Sequence, residues 1–355
     1  IASMYYLKNH IIMTIDSVFK QIQDIVSAPT PPVIVLGSGA SISYGIASMW
    51  SLATMLKDYF SSKSYVSESS KECVNRFLSL LEGGKGLEDA LLEAKVTEEV
   101  EKDIVINVWK MIVKQDIEVY KQAISGESID LKELFDYLIY NREGVELNVV
   151  STNYDKIAEY AVSQSEAYLN TGFASNYLGQ LKVNLDGCPT RLKESYTGKV
   201  NIWKVHGSLD WFKKDNVTYC FPNMLEIPAG YTPCIITPGN NKYEKTQQPP
   251  HRELLSKVDE CFTKAKGFLC IGYGFNDEHV QPVLLNKASK NGLPIIIVTK
   301  EIVDSIRKNV MDAKHNFIAI YSNDANGCII ETKDDKLSIP DKEYWRLKEF
   351  CTIIK

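Results

Sequence analysis

The sequence has no closely spaced pair of cysteines. Its eight cysteines are scattered along the chain, as Cys73, Cys188, Cys220, Cys234, Cys261, Cys270, Cys328 and Cys351. A four-cysteine zinc site needs ligands in close pairs, so the sequence predicts that the protein holds no zinc. Scattered thiols are typical of a protein kept reduced in the cytoplasm, and we expect a cytoplasmic chain.

Long apolar runs and dense clusters of basic residues are absent as well. No stretch reaches the roughly twenty apolar residues of a transmembrane helix, so we expect no membrane segment. A net charge of −5 gives the chain no overall attraction for polyphosphates. Direct nucleic-acid binding is therefore not expected. With 45% hydrophobic and 24% charged residues, the composition is that of a globular protein rather than a disordered one.

Short apolar runs alternate with helical patterns along the chain. The strand-like runs are residues 33–36, 147–151, 200–205, 234–237, 268–271, 294–298 and 317–321. Between several of them, apolar residues recur at helical spacing. This alternation predicts an α/β fold built on a Rossmann-like, doubly wound parallel sheet.

A long helical pattern separates the first two of these strands. It extends from about residue 50 to residue 140, and Thr97 followed by two glutamates is typical of a helix start within it. We expect an N-terminal helical segment (1–30), a Rossmann-like domain (31–50 and 145–325), a helical insertion (51–144) and a C-terminal segment (326–355). The insertion either covers one face of the sheet or helps to build an interface with another protein chain.

Glycine-rich loops directly follow two of the predicted strands. After the first strand come Gly37, Ser38, Gly39, Ala40 and Ser41, with Gly45 further on. After the strand at 268–271 come Gly272, Tyr273 and Gly274. Small residues at such a position allow the backbone N–H groups to approach a phosphate. The dinucleotide fingerprint is incomplete because its third glycine falls too late, and a tight strand-to-helix turn is the alternative interpretation.

Polar side chains follow two further predicted strands. Thr152, Asn153 and Asp155 come after residues 147–151, and His206 comes after residues 200–205. Ligands of open α/β sheets bind at the carboxyl ends of strands, so these residues are candidates to contact a sugar or a water molecule. Histidine can exchange a proton near neutral pH. The alternatives are that Thr152 or Asn153 caps the next helix and that His206 is structural.

Taken together, these segments resemble the sirtuin-like NAD-consuming superfamily. Residues 37–46 are similar to the sirtuin Gly-Ala-Gly-x-Ser…Gly-Ile segment, and Thr-Asn-Tyr-Asp at 152–155 resembles Thr-Gln-Asn-Ile-Asp with one residue fewer. Val-His-Gly at 205–207 matches the sirtuin histidine that precedes a glycine. Gly-Tyr-Gly-Phe at 272–275 stands where sirtuins carry Gly-Thr-Ser. The four motifs follow in the same order over about residues 31–300.

The sequence is more similar still to the bacterial sirtuin-like domains of anti-phage defence systems. These domains share Thr-Asn-Tyr-Asp, Lys-x-His-Gly-Ser-Leu-x-Trp (here 204–211), Pro-Gly-x-Asn-Lys-Tyr (here 238–243) and Gly-Phe/Tyr-Gly-Phe. The resemblance implies an NAD hydrolase that depletes cellular NAD on infection. It also implies a second protein as partner, such as a HerA-type DNA translocase or a short Argonaute. We further expect a homo-oligomer, because an unrestrained NAD hydrolase would kill its host and needs control by assembly.

The resemblance assigns a role to each candidate residue, with NAD as the substrate. The backbone at residues 37–41 holds the pyrophosphate, and Asn153 holds the attacking water or a ribose hydroxyl. His206 accepts a proton, and Asp155 orients its loop or stabilises developing charge. The remaining NAD-binding candidates are Gly45, Thr152, Gly272, Tyr273 and Gly274.

Two features depart from the sirtuins that deacylate proteins. The four-cysteine zinc module is missing, and Ala-Ser-Met-Trp at 47–50 replaces the Pro-x-Phe-Arg segment. The first difference argues against binding of an acyl-lysine peptide. Two alternatives to an NAD hydrolase remain at this point: an NAD-dependent protein deacylase, and a catalytically silent module that senses a nucleotide.

Overall fold

Strands and helices alternate over most of the chain. The computed structural model describes residues 14–140, 142, 144–173, 179–180, 196–237 and 246–355. Its helices are α1 (Ile15–Val26), α2 (Met49–Ser62), α3 (Glu68–Glu82), α4 (Leu87–Ala94), α5 (Glu98–Ile124), α6 (Asp130–Ile139), α7 (Ile157–Ser163), α8 (His251–Lys264), α9 (Gln281–Asn291), α10 (Asp304–Ile306) and α11 (Leu347–Ile354). A π-helical turn, Arg307–Met311, continues α10.

The strands divide between two sheets. They are β1 (Val33–Leu36), β2 (Glu146–Ser151), β3 (Ala167–Asn170), β4 (Gly179–Gln180), β5 (Gly198–Lys204), β6 (Gly207–Lys214), β7 (Val217–Cys220), β8 (Thr232–Ile235), β9 (Phe268–Ile271), β10 (Ile295–Val298), β11 (Phe317–Ser322), β12 (Gly327–Thr332) and β13 (Lys336–Pro340). The large sheet has the order β13-β12-β11-β10-β9-β1-β2-β5-β3, and the small sheet has the order β4-β7-β6-β8.

The large sheet confirms the predicted α/β class. The seven strands from β3 to β11 in the sheet order run parallel, and the only antiparallel pairings are those of β12 with β11 and with β13. Helices cover both faces. In β1, Ile34 and Leu36 pack into one core, whereas Val33 and Val35 pack into the other. A strand buried on both faces needs apolar residues at every position, which explains the unbroken run in the sequence.

The strand predicted at residues 234–237 does not belong to the parallel sheet. It is β8, shifted to Thr232–Ile235, and it pairs antiparallel with β6 in the small sheet. The reason lies at Gly207, which has a φ of +85° and lets the chain turn directly from β5 into β6. An added Cβ at this glycine would lie 2.0 Å from the Cys234 carbonyl oxygen. Apolar periodicity alone does not distinguish the two sheets.

Five helices, α2 to α6, occupy the chain between β1 and β2. As the sequence indicated, α5 begins after Thr97, whose side chain accepts a hydrogen bond from the Val100 N–H. The helix α5 is anchored on the small sheet, because the buried Trp109 donates from Nε1 to the Leu209 carbonyl at 2.8 Å. The helical block is therefore packed against the rest of the fold through α5, and also through α6, which contacts α7, α11 and β2.

The chain after β11 extends the large sheet and then returns across one face. The strands β12 and β13 form an antiparallel hairpin at the sheet edge, and α11 packs against α1 and α6. Phe350, Cys351 and Ile354 are buried on α11, so this helix completes one of the two cores. Among the helices that the structure describes, none is long and apolar enough to cross a membrane.

The loops after β1 and β9 lie against each other without any side chain between them. The Gly39 N–H donates to the Gly272 carbonyl at 3.0 Å. Gly272 has a φ of +55°, and a Cβ there would lie 2.2 Å from the backbone nitrogen of Ala40. Backbone atoms cannot move aside as a flexible side chain does. Glycine is therefore required at this contact.

We predict that Gly272→Ala strongly destabilises the protein. The added methyl group overlaps backbone, and such overpacking typically costs about 1–3 kcal/mol of unfolding free energy before the left-handed φ is counted. Gly274→Ala is the matched control, because its nearest neighbouring atom would be 3.6 Å away. Denaturant unfolding of both variants measures the difference. Equal stability of the two variants would contradict the packing described here.

Candidate functional site

A cavity of about 860 Å³ opens where the central parallel strands end. Its walls include residues that follow β9, β1, β2 and β5, four consecutive neighbours in the sheet. This is the edge at which open α/β sheets bind ligands. The predicted site residues that line it are Gly37, Ser38, Gly39, Ala40, Ser41, Thr152, Asn153, Asp155, His206, Gly272, Tyr273 and Gly274.

Gly45 lies outside the cavity lining. It ends the short helical turn Ile42–Tyr44 with a φ of +79°, and open space surrounds the position that a Cβ would take. Its neighbours Tyr44 and Ile46 do line the cavity. The contribution of Gly45 in this structure is to the turn that carries them.

The backbone N–H groups after β1 are mostly committed to protein carbonyls. Gly37 donates to the Ile271 carbonyl at 3.1 Å, and Gly39 donates to Gly272. The next two residues close 3₁₀ turns within the loop. Ser38 is exposed, and its N–H has no backbone acceptor within the described residues. The loop therefore offers a ligand fewer free N–H groups than its glycine pattern indicates. The free backbone N–H is that of Ser38.

Asn153 joins the end of β2 to the loop after β1. Its Nδ2 donates to the Gly37 carbonyl at 2.8 Å and to Ser41 Oγ at 3.0 Å. Its side-chain oxygen accepts no hydrogen bond from the part of the chain that is described, so it remains available to a ligand. Asp155, not Asn153, accepts from the first N–H of α7, that of Ile157, at 3.2 Å. The helix-cap interpretation of Asn153 is therefore wrong.

His206 stands between β5 and β6 and is only 7% exposed. Its Nδ1 lies 3.3 Å from the Thr152 carbonyl oxygen, and its Nε2 lies 2.8 Å from Asp277 Oδ2. The second pair is at ion-pair distance, but its alignment is not that of a hydrogen bond: Nε2 has no hydrogen-bond partner among the described residues. The imidazole thus lies between the Thr152 carbonyl on one side and the Asp277 carboxylate on the other.

Asp277 is a site residue that sequence reasoning missed. It lines the cavity, is 5% exposed, and follows the Gly272–Gly274 loop rather than standing at the strand end itself. Its Oδ1 accepts from the N–H groups of His279 and Val280, at 2.9 and 3.0 Å. In the sequence it reads as an ordinary helix-start residue. Only the fold brings it to His206.

A cluster of buried charges supports the loop that carries Asn153. Lys204, 1% exposed, donates to the carbonyls of Tyr154 and Asp155 and lies 3.2 Å from Glu159 Oε1. Burial alone lowers the pKa of Lys204, but the surrounding carboxylates outweigh it and raise the pKa above its ordinary value. Burial raises the pKa of Glu159, against the effect of Lys204. The raised pKa of Lys204 follows from several carboxylates around one ammonium group, whereas the raised pKa of Glu159 follows chiefly from its burial.

Other parts of the fold complete the cavity wall. Glu88, from the helical block, lines it and accepts from Asn276 Nδ2 at 3.4 Å. Trp345 and Arg346, just before α11, line it as well, and the Arg346 guanidinium lies 4.4 Å from the Trp345 ring centroid. No motif in the sequence indicated these residues, because none of them stands at the end of a parallel strand.

Three buried polar atoms of the cavity lining have no hydrogen-bond partner among the described residues. They are His206 Nε2, Tyr273 Oη and Trp345 Nε1. Burial raises the pKa of Tyr273 well above its ordinary range, so its hydroxyl keeps its proton. Buried polar groups are normally paired, so unpaired ones around a cavity suit a polar ligand.

Two sequence features fall wholly or partly outside the described residues. The Pro-Gly-x-Asn-Lys-Tyr segment at 238–243 lies outside them, and so does Cys188. The other seven cysteines are free thiols. Within the described ranges, no group of histidine, cysteine or acidic side chains is arranged to hold a metal ion. The absence of zinc remains a prediction.

Comparison with protein families identifies the chain. The sequence model of the SIR2-like domain matches residues 147–328, just over half of its length. The chain belongs to the SIR2-like domain family. The matched range contains β5, β9 and all of β2 but its first residue, with Asn153, His206 and Asp277, so the sirtuin-like resemblance of the sequence is confirmed at the level of the family. No curated protein matches the sequence significantly.

Solved sirtuin structures show a low similarity to this SIR2-like chain. A Sir2 enzyme is 13% identical with a TM-score of 0.44, over 82% of this chain and 89% of its own. A Sir2 homologue in complex with NAD is 10% identical with a TM-score of 0.40, over 79% of this chain and 83% of its own. A Sir2 protein bound to a propionylated peptide is 12% identical with a TM-score of 0.40, over 81% of this chain and 90% of its own.

Proposed function

We propose that this SIR2-like protein binds NAD in the cavity and hydrolyses the bond between nicotinamide and ribose. The observation that carries the proposal is the meeting of Asn153, His206 and the glycine loop after β1 in one cavity. Its volume of about 860 Å³ lies within the range of ~300–1,000 Å³ that ligand pockets occupy. The unpaired polar atoms of the lining supply donors and acceptors for a ligand rich in hydroxyl and phosphate groups.

The adenosine diphosphate half of NAD is assigned to the glycine loops and the cationic side chains. Ser38 offers its backbone N–H and its hydroxyl to the pyrophosphate. Lys300, Arg346 and Lys348 also line the cavity, and positive charge suits a ligand that carries two phosphates. We further assign Gly272, Tyr273 and Gly274 to the adenosine side, where the small residues leave room for close approach.

The nicotinamide ribose is assigned to the end of the cavity with Asn153 and His206. Cleavage of the glycosidic bond passes through an oxocarbenium-like ribose. Nicotinamide leaves with the bonding electron pair and becomes neutral, so it needs no acid. Water adds to the ribose carbon, and its proton passes to His206, directly or through a ribose hydroxyl. NAD and water thus give nicotinamide, ADP-ribose and a proton.

Asn153 serves the reacting water or a ribose hydroxyl through its free side-chain oxygen. Asp155 is assigned a supporting role, because its Oδ1 is occupied by the Ile157 N–H and its carbonyl by Lys204. It orients the loop on which Asn153 stands. Thr152 contributes its carbonyl, which holds His206 Nδ1.

The direct test is to incubate the purified protein with NAD and to follow nicotinamide and ADP-ribose. We expect both products in equal amounts without any acylated peptide. His206→Ala should lower turnover by about 10²–10⁴-fold, the usual contribution of a general base. Products that form only with an acylated peptide would indicate a deacylase. Binding without products would indicate a nucleotide-sensing module, and either result would refute the hydrolase.

We predict that Asn153→Ala abolishes hydrolysis but spares NAD binding. The side chain is assigned to the reacting ribose, and loss of a contact made chiefly in the transition state lowers turnover more than affinity. The two lost hydrogen bonds also cost about 1 kcal/mol each in stability. Calorimetric titration of NAD, a turnover assay and a melting curve are measured together.

Thr97→Ala is the control for that loss of stability. It removes the cap of α5, which typically costs ~0.5–2 kcal/mol, and touches no residue assigned to the site. If Asn153 only ties two loops together, both variants should melt earlier and both should hydrolyse NAD at low temperature. Retained turnover in Asn153→Ala would leave catalysis to His206.

We propose that the hydrolase acts in anti-phage defence and is controlled by assembly. Unrestrained loss of NAD would kill the host cell, so NAD hydrolysis must be restrained until it is needed. The helical block exposes large apolar side chains, Trp50 at 77%, Val66 at 96% and Leu92 at 56%, which can contact another chain. The partner is a second copy of this protein, with or without a second protein such as a HerA-type DNA translocase or a short Argonaute.

We expect the purified protein to form oligomers at micromolar concentration. Trp50→Ser, at the most exposed tryptophan of the block, should weaken the assembly while leaving the fold unchanged. Size-exclusion chromatography with light scattering measures the mass, and the NAD assay is run on the same fractions. A strict monomer that is fully active alone would contradict control by assembly.

A further inference from the structure

The side chain of Lys204 is buried at the end of β5, and no step of the hydrolysis proposed above involves it. The residue is 1% exposed, and lysine is almost never buried to this degree unless its charge is paired. Glu159 Oε1, at 3.2 Å, supplies the opposite charge. A buried ion pair is weak evidence for stability, because the cost of taking two charges out of water can exceed their attraction. The ion pair alone therefore does not explain this lysine.

The ammonium group of Lys204 also makes two hydrogen bonds to the backbone. Its Nζ donates to the Tyr154 carbonyl at 3.2 Å and to the Asp155 carbonyl. Both carbonyls lie between the end of β2 and the start of α7, so neither belongs to a strand ladder or to the helix. Among the described residues, no backbone N–H donates to the Asp155 carbonyl. Without Lys204 this buried carbonyl would be left unpaired, which is costly.

These two hydrogen bonds belong to a series that holds residues 151–155 against residues 204–209. Every acceptor in the series is a backbone carbonyl of the first segment, and every donor belongs to the second. The members are Val205 N–H to Ser151 at 3.1 Å, His206 Nδ1 to Thr152 at 3.3 Å, Leu209 N–H to Tyr154 at 3.1 Å, and Lys204 Nζ to Tyr154 and Asp155. Asn153 stands within the first segment and His206 within the second. The series thus sets how these two residues are placed relative to each other.

We propose that Lys204 is a positioning residue for the hydrolysis proposed above. Its ammonium group holds the far end of the segment that carries Asn153, and so keeps Asn153 in one orientation towards the ribose that His206 serves. Lys204 does not line the cavity, so it contacts neither the substrate nor the reacting atoms. No proton moves to or from it during the reaction. The role also gives a reason for a lysine two positions before the histidine in the Lys-x-His-Gly-Ser-Leu motif.

A pair of substitutions separates this role from simple neutralisation of Glu159. Lys204→Met leaves Glu159 buried without its partner, so the variant should melt well below the wild type. Lys204→Met combined with Glu159→Gln removes both charges and should melt closer to the wild type. We expect kcat for NAD to stay about 10²-fold lower in this double variant, because a small displacement misaligns the reacting groups, with KM changed by less than about threefold. If Lys204 only neutralises Glu159, kcat should recover together with the stability.

The same two strands offer a matched control at their other end. Lys199 is 9% exposed, and its Nζ donates to Glu146 Oε1 at 2.9 Å. Lys199 pairs in register with Glu146 at the start of β2, whereas Lys204 pairs with Ser151 at its end. Lys199→Met combined with Glu146→Gln thus removes a lysine–glutamate pair without touching residues 151–155. This control should leave kcat at the wild-type value, whatever its effect on the melting temperature.

Hydrogen exchange followed by mass spectrometry gives a second readout, which needs no activity. In the Lys204→Met/Glu159→Gln variant, the N–H groups of residues 152–157 should exchange faster than in the wild type, while β9 keeps its protection. In the Lys199 control, exchange at residues 152–157 should be unchanged. A general loss of stability would instead raise exchange throughout the fold.

The outcomes distinguish the two proposals from each other. If the wild type releases no nicotinamide, the hydrolase is refuted, and exchange at residues 152–157 still tests the positioning. If the double variant recovers wild-type kcat, or if residues 152–157 exchange as in the wild type, the positioning role of Lys204 is overturned. An equal loss of kcat in the Lys199 control would overturn it too, because any buried lysine of β5 would then have the same effect. A double variant that does not fold would also overturn it, since Lys204 would then serve the fold rather than the site.

Discussion

The backbone of the loop after β1 lies directly on the backbone of the loop after β9, and most of the site depends on this approach. Two hydrogen bonds, from Gly37 to Ile271 and from Gly39 to Gly272, carry the pairing of the strands past their ends. Any side chain at Gly272 would separate the loops. The contact forms the floor of the cavity, and it consumes N–H groups that a glycine-rich loop otherwise offers to a phosphate. The two loops pack closely, and as a result the N–H groups of Gly37 and Gly39 are not available to a ligand.

The walls of the cavity are held by a second set of constraints, which act through side chains. Asn153 ties β2 to the loop after β1, and Lys204 holds the carbonyls of the next two residues from below. These contacts leave little freedom to the segment between β2 and α7. His206 lies between the Thr152 carbonyl and the Asp277 carboxylate. The residues assigned to the chemistry are thus positioned by buried polar groups, which are costly to disturb when a partner is removed.

The comparison of sequence and structure shows where local patterns are informative. Unbroken apolar runs such as Val33–Leu36 predicted parallel strands correctly, because a strand covered on both faces has no polar position. The same rule wrongly assigned residues 234–237 to the parallel sheet. A buried strand of a small antiparallel sheet has the same kind of apolar run. The site residues at strand ends were predictable from the position of a polar residue after a strand. Asp277, Glu88 and Trp345 were not, because they reach the cavity from a helix start, an inserted helix and the C-terminal segment.

The sequence by itself determined the class of fold, the order of the parallel strands along the chain and the edge of the sheet that carries Asn153 and His206. These properties follow from periodicity and from short motifs, which involve residues only a few positions apart. The tertiary structure alone decided which polar atoms meet and which remain free. Whether Gly39 can offer its N–H depends on Gly272, and the environment of His206 Nε2 depends on Asp277, both distant in the chain. Such contacts depend on how strands and loops pack in three dimensions, and a local sequence pattern does not predict them.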